Sequence, residues 1–307
     1  MGTPDFALPC LDALNSRYGV AAVVTQPDKP KGRGYILTPS PVKVYAAEHG
    51  IPVYQPQTLR GGAFENELRE IDPDIIVVAA FGQILPEYVL NYPEYGCINI
   101  HGSLLPEYRG AAPMQRAIID GKKQTGITTM YMAKGLDTGD MLEKAVIDIE
   151  DEDSFESIHD KLATLGAKLI LSTIEKLING EISPEKQDDS KATYASKIEK
   201  SDCLVDFSKS ARQIHDLIRG LSPFPLAYSY LNGRIIKFVR SKITDMKCEG
   251  PCGTVLSIDG GLIVIACGEG AIGISALLPE GKSRMSAADF IRGRQIAPGD
   301  RFGSDKQ

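Results

Sequence analysis

An amide and an imidazole stand two residues apart at Asn99 and His101, at the end of the apolar run that starts at Cys97. On an extended strand, residues i and i+2 point to the same face. Both polar groups can therefore look into one pocket, while Cys97, Ile98 and Ile100 help bury the strand. A loop begins at once with Gly102, Ser103 and Pro106, and a carboxylate follows in Gly135-Leu136-Asp137-Thr138-Gly139-Asp140. A hydrogen-bond donor, a titratable base and an acid that orients the base are the parts needed to move an acyl group onto a nucleophile. Asp137 reads equally well as an ordinary turn former. Of the other histidines, His49 lies at a helix end, His159 in a capped helix and His215 in a short helix; all three read as surface or structural residues.

These side chains must be positioned by a fold, and composition bounds it. The chain has 307 residues, enough for one large or two ordinary domains. With 43% hydrophobic and 24% charged residues it matches a globular protein. No apolar run approaches the roughly 20 residues of a membrane-spanning helix, and no secretory signal precedes the first motif. The six cysteines are scattered, which points to free thiols in a reducing cytoplasm rather than a disulfide framework. Cys248 and Cys252 form a lone pair with no partner His or second pair, so no metal is expected. Charge is uneven. From Lys200 onward, 7 Lys and 8 Arg stand against 11 acidic residues, a balance of +4, on a chain of net charge −6. A basic C-terminal third on an acidic body is compatible with a polyanionic partner.

The pattern along the chain is α/β. Residues 19–25 and 75–80 are continuous apolar runs, as in strands buried on both faces, with a helix over 41–50 between them. Further strands are expected at 97–100 and 127–132. Asp153 and Ser154 cap a helix that carries Ile158, Leu162, Leu165 and Leu169 and stops at Asn179-Gly180. The stretch 183–201 is polar and without period, and reads as a linker between a domain at 1–182 and one at 202–307. In the second, Asn232-Gly233 and Asp259-Gly260 between apolar runs mark hairpins, and several short strands suggest a small closed β-barrel. Gly268-Glu269-Gly270-Ala271-Ile272-Gly273 fits a dinucleotide fingerprint in letters only. That fingerprint needs a helix after the glycines, and a strand pattern follows here.

The run HGSLLPEYRGAAPMQ followed by GLDTGD resembles the formyltransferases that use 10-formyltetrahydrofolate. The combination with Gly2-Thr3-Pro4-Asp5-Phe6-Ala7, Gln26-Pro27-Asp28, Gly32-Arg33-Gly34 and the C-terminal Pro223-Phe224-Pro225, Lys282–Ala287 and Pro298-Gly299-Asp300 is similar to the branch acting on methionyl-tRNA. The resemblance spans essentially the whole chain. It implies an open Rossmann-like domain followed by an OB-like barrel. It also implies formyl transfer from 10-formyltetrahydrofolate, as co-substrate, to the α-amino group of initiator methionyl-tRNA. Asn99, His101 and Asp137 fall on that family's catalytic trio, with Asn99 on the oxyanion, His101 on the proton and Asp137 on the ring. Phe81, Gly82, Gln83, Ile84 and Leu85, with Ser103, Leu104, Leu105, Pro106 and Asp137, would form the folate pocket. Lys29, Lys31 and Arg33, in a long loop at 26–40 expected to lack regular structure, would meet the tRNA. A monomer is expected, with tRNA supplying the second large surface. Formyltransferases of nucleotide or amino-sugar substrates, a formyl-folate hydrolase and a non-catalytic binding protein are the competing readings. In the resembled family an apolar strand leads into the GTPDFA turn, whereas here Met1 stands directly before it. The first strand of the sheet is therefore expected to be missing, through a mis-assigned start or a truncation.

Overall fold

The computed structural model describes residues 1–31, 35–247 and 250–303. They fall into two compact units. The first comprises Met1–Gly110, Gln124–Asp148 and His159–Ala195; the second comprises Ala111–Lys123, Ile149–Ile158 and the chain from Ser196 onward. Among the described residues no helix is long and apolar enough to cross a membrane.

In the first unit, α1 (Leu8–Tyr18) precedes β1 (Val23–Val24). The short strands β2 (Lys29–Lys31) and β3 (Ile36–Thr38) come next, followed by α2 (Pro41–Glu48), β4 (Val53–Tyr54), α3 (Glu65–Ile71) and β5 (Ile76–Val78). A one-turn helix α4 (Glu87–Leu90) leads to β6 (Cys97–His101) and β7 (Arg109–Gly110). After the excursion at 111–123 come β8 (Gln124–Tyr131), β9 (Met141–Asp148), the body of α6 (Phe155–Ile178) and β10 (Tyr194–Ala195). The apolar runs at 19–25, 75–80 and 97–100 do become strands. The sheet is mixed: β5 and β6 are parallel, β8 runs antiparallel beside β6, and β9 runs antiparallel beside β8. Ser40 caps α2 by accepting a hydrogen bond from the Lys43 N–H, and Ser154 accepts from the Ser157 N–H at the start of α6. Val78, Phe81, Leu85, Val89 and Cys97 pack with Phe64 and Leu68 in one core.

Where the first strand is expected, only Met1 and Gly2 lie between β1 and β5. Gly2 N–H donates to the Val24 carbonyl, Ala79 N–H to the Met1 carbonyl, and the Met1 amine to the Val77 carbonyl. Beside these two residues is a cavity of about 410 Å³, lined by Leu11, Val24, Val42, Leu68, Ile76 and Ile174 among others. Burial lowers the Met1 amine to a pKa of about 6.

The second unit begins with α5 (Pro113–Ile119) and continues with α7 (Ala211–Gly220) and the strands β11 (Ala227–Leu231), β12 (Arg234–Thr244), β13 (Val255–Ser257), β14 (Ile263–Ala266) and β15 (Ala271–Pro279). It ends with β16 (Met285–Ser286), α8 (Ala287–Arg292) and β17 (Phe302–Gly303). The strand order is β13-β14-β15-β12-β11-β17, with β16 on β15. Asn232 and Gly233, both at positive φ, turn β11 into β12 so that Leu231 faces Arg234. This is the two-residue hairpin their types require. The glycines at 268–273 likewise sit in the β14–β15 hairpin. The expected closed barrel is a curled half-barrel. Its two ends meet through a bridge between Thr254 and Arg301 and the neighbouring hydrogen bonds. Phe238 and Phe302 form its centre together with Ile263 and Ile272.

The division differs from the contiguous one expected (1–182, 183–201, 202–307), and packing explains why. A Cβ on Gly220 would lie 2.7 Å from Ile119, so the glycine lets α5 approach α7 closely and draws 111–123 into the second unit. The supposed linker is ordered. Glu185 pairs with Met141, β10 pairs with β7, and Arg116 holds the Ser196 carbonyl and the Asp202 carboxylate.

Candidate active site

All three residues of the expected trio lie in the first unit. Asn99 and His101 project from β6, with Asn99 opposite Met130 and His101 opposite Thr128 on β8. The half-buried Asn99 amide makes no hydrogen bond to the described residues, so its N–H groups remain available to a ligand. His101 is buried, and its Nε2 lies 2.9 Å from the Tyr108 carbonyl oxygen. A carbonyl can only accept, so Nε2 carries the proton and the lone pair of the neutral ring is on Nδ1. Nδ1 faces the Asp137 carboxylate, 3.7 Å from Oδ2. That oxygen also accepts a hydrogen bond from the Gly110 N–H at 2.8 Å. The arrangement is a base with a fixed tautomer whose second nitrogen, once protonated, meets a negative charge.

The loop after His101 is held by β8. The Thr128 hydroxyl donates to the Ser103 carbonyl and accepts from the Leu105 N–H. Ser103 Oγ donates to the Glu107 carbonyl at 2.6 Å. Gly126 on β8 has no room for a side chain, since a Cβ there would meet the Ala145 carbonyl oxygen at 2.1 Å and Leu104 at 2.5 Å. Leu105 is buried against Met130 and Met141. Leu104 and Pro106 are half-buried.

The other expected pocket residues divide. Phe81 and Leu85 belong to the core. Gln83 is spent locally, with its amide on the Pro56 carbonyl and its oxygen on the Leu59 N–H. Gly82 adopts positive φ, and Ile84 is 75% exposed. Leu136, beside Asp137, is 61% exposed. The Cys97 thiol is pushed up to about 12 by burial, which removes it as a nucleophile.

The stretch at 26–40, expected to be structureless, contains an antiparallel hairpin. Lys29 pairs with Thr38, and Lys31 with Ile36. Lys29 is exposed, as are Tyr35, Ile36 and Leu37 on the returning arm. Arg33 lies outside the described residues, as does Cys248 of the cysteine pair.

Sequence reasoning missed Arg109 and Gln187. Arg109 is fully buried and donates to Gln187 Oε1 and Asp189 Oδ1. Gln187 comes from the polar stretch read as a linker, and no periodicity or motif marks it. It also missed Tyr108, whose contribution is a backbone carbonyl that any residue type would supply.

A family model described as formyl transferase matches residues 1–174, and another described as formyl transferase, C-terminal domain, matches 197–295. The chain is 48% identical over 309 residues to methionyl-tRNA formyltransferase of Bacillus subtilis (strain 168), covering 100% of this chain and 98% of that protein. It is 49% identical over 304 residues to methionyl-tRNA formyltransferase of Geobacter metallireducens, covering 99% and 97%. Among solved structures, the sugar 3N-formyl transferase WlaRD shares the fold with a TM-score of 0.66 at 20% identity, over 92% of this chain and 97% of that one. A methionyl-tRNA formyltransferase from Clostridium thermocellum gives 0.50 at 21% identity, over 66% and 87%. With near-half identity to such proteins along its whole length, the chain belongs to the methionyl-tRNA formyltransferase family.

Proposed function

We infer that this chain transfers the formyl group of 10-formyltetrahydrofolate to the α-amino group of initiator methionyl-tRNA. The observation that carries the chemistry is the His101 ring, with Nε2 on a carbonyl and Nδ1 facing Asp137. The folate supplies an already activated formyl carbon, so the protein's task is placement, charge and one proton. The Asn99 amide donates to the formyl oxygen as it gains negative charge. His101 Nδ1 takes the proton lost by the attacking amine, directly or through water, and Asp137 stabilises the resulting imidazolium. The N–C bond to the amine forms, the bond from the formyl carbon to the folate nitrogen breaks, and that nitrogen regains a proton. The exposed faces of Ile84 and Leu136 and the backbone at Gly82 suit a flat heteroaromatic ring. Ser103–Pro106 form the loop that continues from His101.

Recognition of the tRNA is assigned to Lys29, Lys31 and Arg33 and to the C-terminal unit. The support is the +4 balance from Lys200 onward and the exposed Lys29 and Tyr35 of the hairpin. The enzyme acts as a monomer in the cytoplasm. The test supplies formyl-labelled folate with methionyl-tRNA, with free methionine, and with no acceptor. Label on methionyl-tRNA alone is the expected result. Folate turnover without an acceptor would favour a hydrolase, and binding without turnover a carrier.

A further inference from the structure

The loop that carries Asp137 must hold one carboxylate within reach of a ring nitrogen, yet little of its own sequence anchors it. Asp137 sits at φ 50°, a left-handed conformation that costs a non-glycine residue energy. Gly139 has no room for a side chain, because a Cβ would meet the Tyr131 carbonyl oxygen at 1.8 Å. Two hydrogen bonds from one distant side chain close over this loop. Gln187 Nε2 donates to the Asp137 carbonyl and to the Gly139 carbonyl, each at 2.8 Å. Its oxygen accepts from Arg109 Nε at 3.0 Å. Arg109 is 2% exposed, and its Nη2 lies 2.7 Å from Asp189 Oδ1. The backbone of the next residue, Gly110, holds the Asp137 carboxylate itself. The carboxylate and the main chain of Asp137 are thus both fixed from the Arg109–Gly110 strand, one directly and one through Gln187. That strand in turn is paired with β10. The Gln187 amide uses both hydrogens and its oxygen in this arrangement, so it is oriented without ambiguity.

We propose that Gln187, braced by Arg109, is a positioning residue that sets the Asp137 carboxylate against His101. The proposal rests on the reading of Asp137 as the acid that supports the imidazolium. A carbonyl-to-carbonyl clamp of this kind matters because placement errors of about 1 Å at a reacting constellation cost on the order of 100-fold in rate.

Two substitutions separate positioning from simple satisfaction of the buried Arg109. Gln187→Glu keeps an acceptor for the guanidinium but cannot donate to two carbonyls. Gln187→Met keeps the length and loses all three hydrogen bonds. Single-turnover formyl transfer to methionyl-tRNA is measured across pH for both, with thermal midpoints as the folding control. The expected result is a loss of about 10- to 100-fold in the transfer rate for both variants, with KM for methionyl-tRNA little changed. The acid limb of the rate profile should move to lower pH, because a displaced carboxylate no longer supports the protonated ring. A Gln187→Glu variant with wild-type rate and profile would overturn the proposal and leave Gln187 as a structural partner of Arg109. Asp137→Asn is run alongside. If it turns over normally, the reading of the acid fails; if it is inactive while both Gln187 variants are normal, only the clamp fails.

Discussion

Two of the four histidines, His101 and His215, are buried, and their surroundings differ. His101 in the first unit has one nitrogen on the Tyr108 carbonyl and the other facing a carboxylate. His215 in the second unit has Nδ1 at 2.9 Å from the Ser241 hydroxyl and Nε2 at 3.2 Å from the Asp151 carbonyl. Its neighbours satisfy both nitrogens of a neutral ring. Burial lowers its pKa, and the cations of Arg219 and Arg212 act in the same direction. Each unit also holds a buried arginine. Arg109 braces Gln187 and the loop of Asp137. Arg219 pairs with Asp216 at 2.7 Å and donates to the Glu150 and Asp153 carbonyls, tying the segment 149–153 to α7. Burial and hydrogen bonding alone therefore do not mark a reactive imidazole. What differs is whether the second nitrogen meets a saturated neutral partner or an anion beside a half-buried donor such as Asn99.

The largest test of this contrast is His101→Gln, which keeps a polar side chain and removes the base. The rate of formyl transfer should fall by about 10²- to 10⁴-fold with the thermal midpoint nearly unchanged; near-normal turnover would erase the distinction between the two rings. Next in size, Arg219→Met takes from the buried Asp216 its near partner and leaves it Arg212 at 3.8 Å. It should cost about 3–5 kcal/mol in denaturant unfolding of the second unit, and a cost below 1 kcal/mol would show that solvent reaches the pair. A third test uses pH. The folded pKa of His215 lies below its unfolded value of about 6.5, so the unfolded chain binds the extra proton first. Stability from this residue is complete above about pH 6.5 and declines as pH falls below it, by at most about 1.4 kcal/mol per pH unit. His215→Gln should flatten that slope, and an unchanged slope would assign it to other groups. The smallest effect belongs to Ser241→Ala, which deprives His215 Nδ1 of its donor at about 1 kcal/mol. Chemical denaturation at pH 7.5 measures it, and a neutral result would mean that water replaces the hydroxyl.

Much of the site was legible because its logic is local. Asn99 and His101 share a face for the same reason that any i, i+2 pair on a strand does, and the Gly-Ser-Pro loop after them follows from backbone preferences. The Asn232-Gly233 hairpin was equally readable, since its turn demands residues that tolerate positive φ. The hairpin of β2 and β3 was missed because its strands have three residues each and no alternating apolar pattern. The grouping of 111–123 and 149–158 with the C-terminal unit was also hidden. It depends on α5 meeting α7 across Gly220 and on Arg219 reaching two carbonyls, none of which leaves a periodic trace.

The sequence by itself determined that Asn99 and His101 share a strand face, the mixed helix and strand content, the hairpin turns, the basic C-terminal third and the family. These are properties of residue type and short spacing, which the chain carries whatever its final packing. Tertiary structure decided which nitrogen of His101 bears its proton, because that is set by a carbonyl seven residues away in a folded loop. It also decided that a glutamine fifty residues beyond Asp137 holds the acid's loop. The same is true of the cavity beside Met1 and Gly2, bounded by side chains from separate parts of the first unit, from Leu11 and Val42 to Leu68 and Ile174. Long-range hydrogen bonds and close packing depend on where segments meet in space, and that meeting is fixed only when the whole unit has folded.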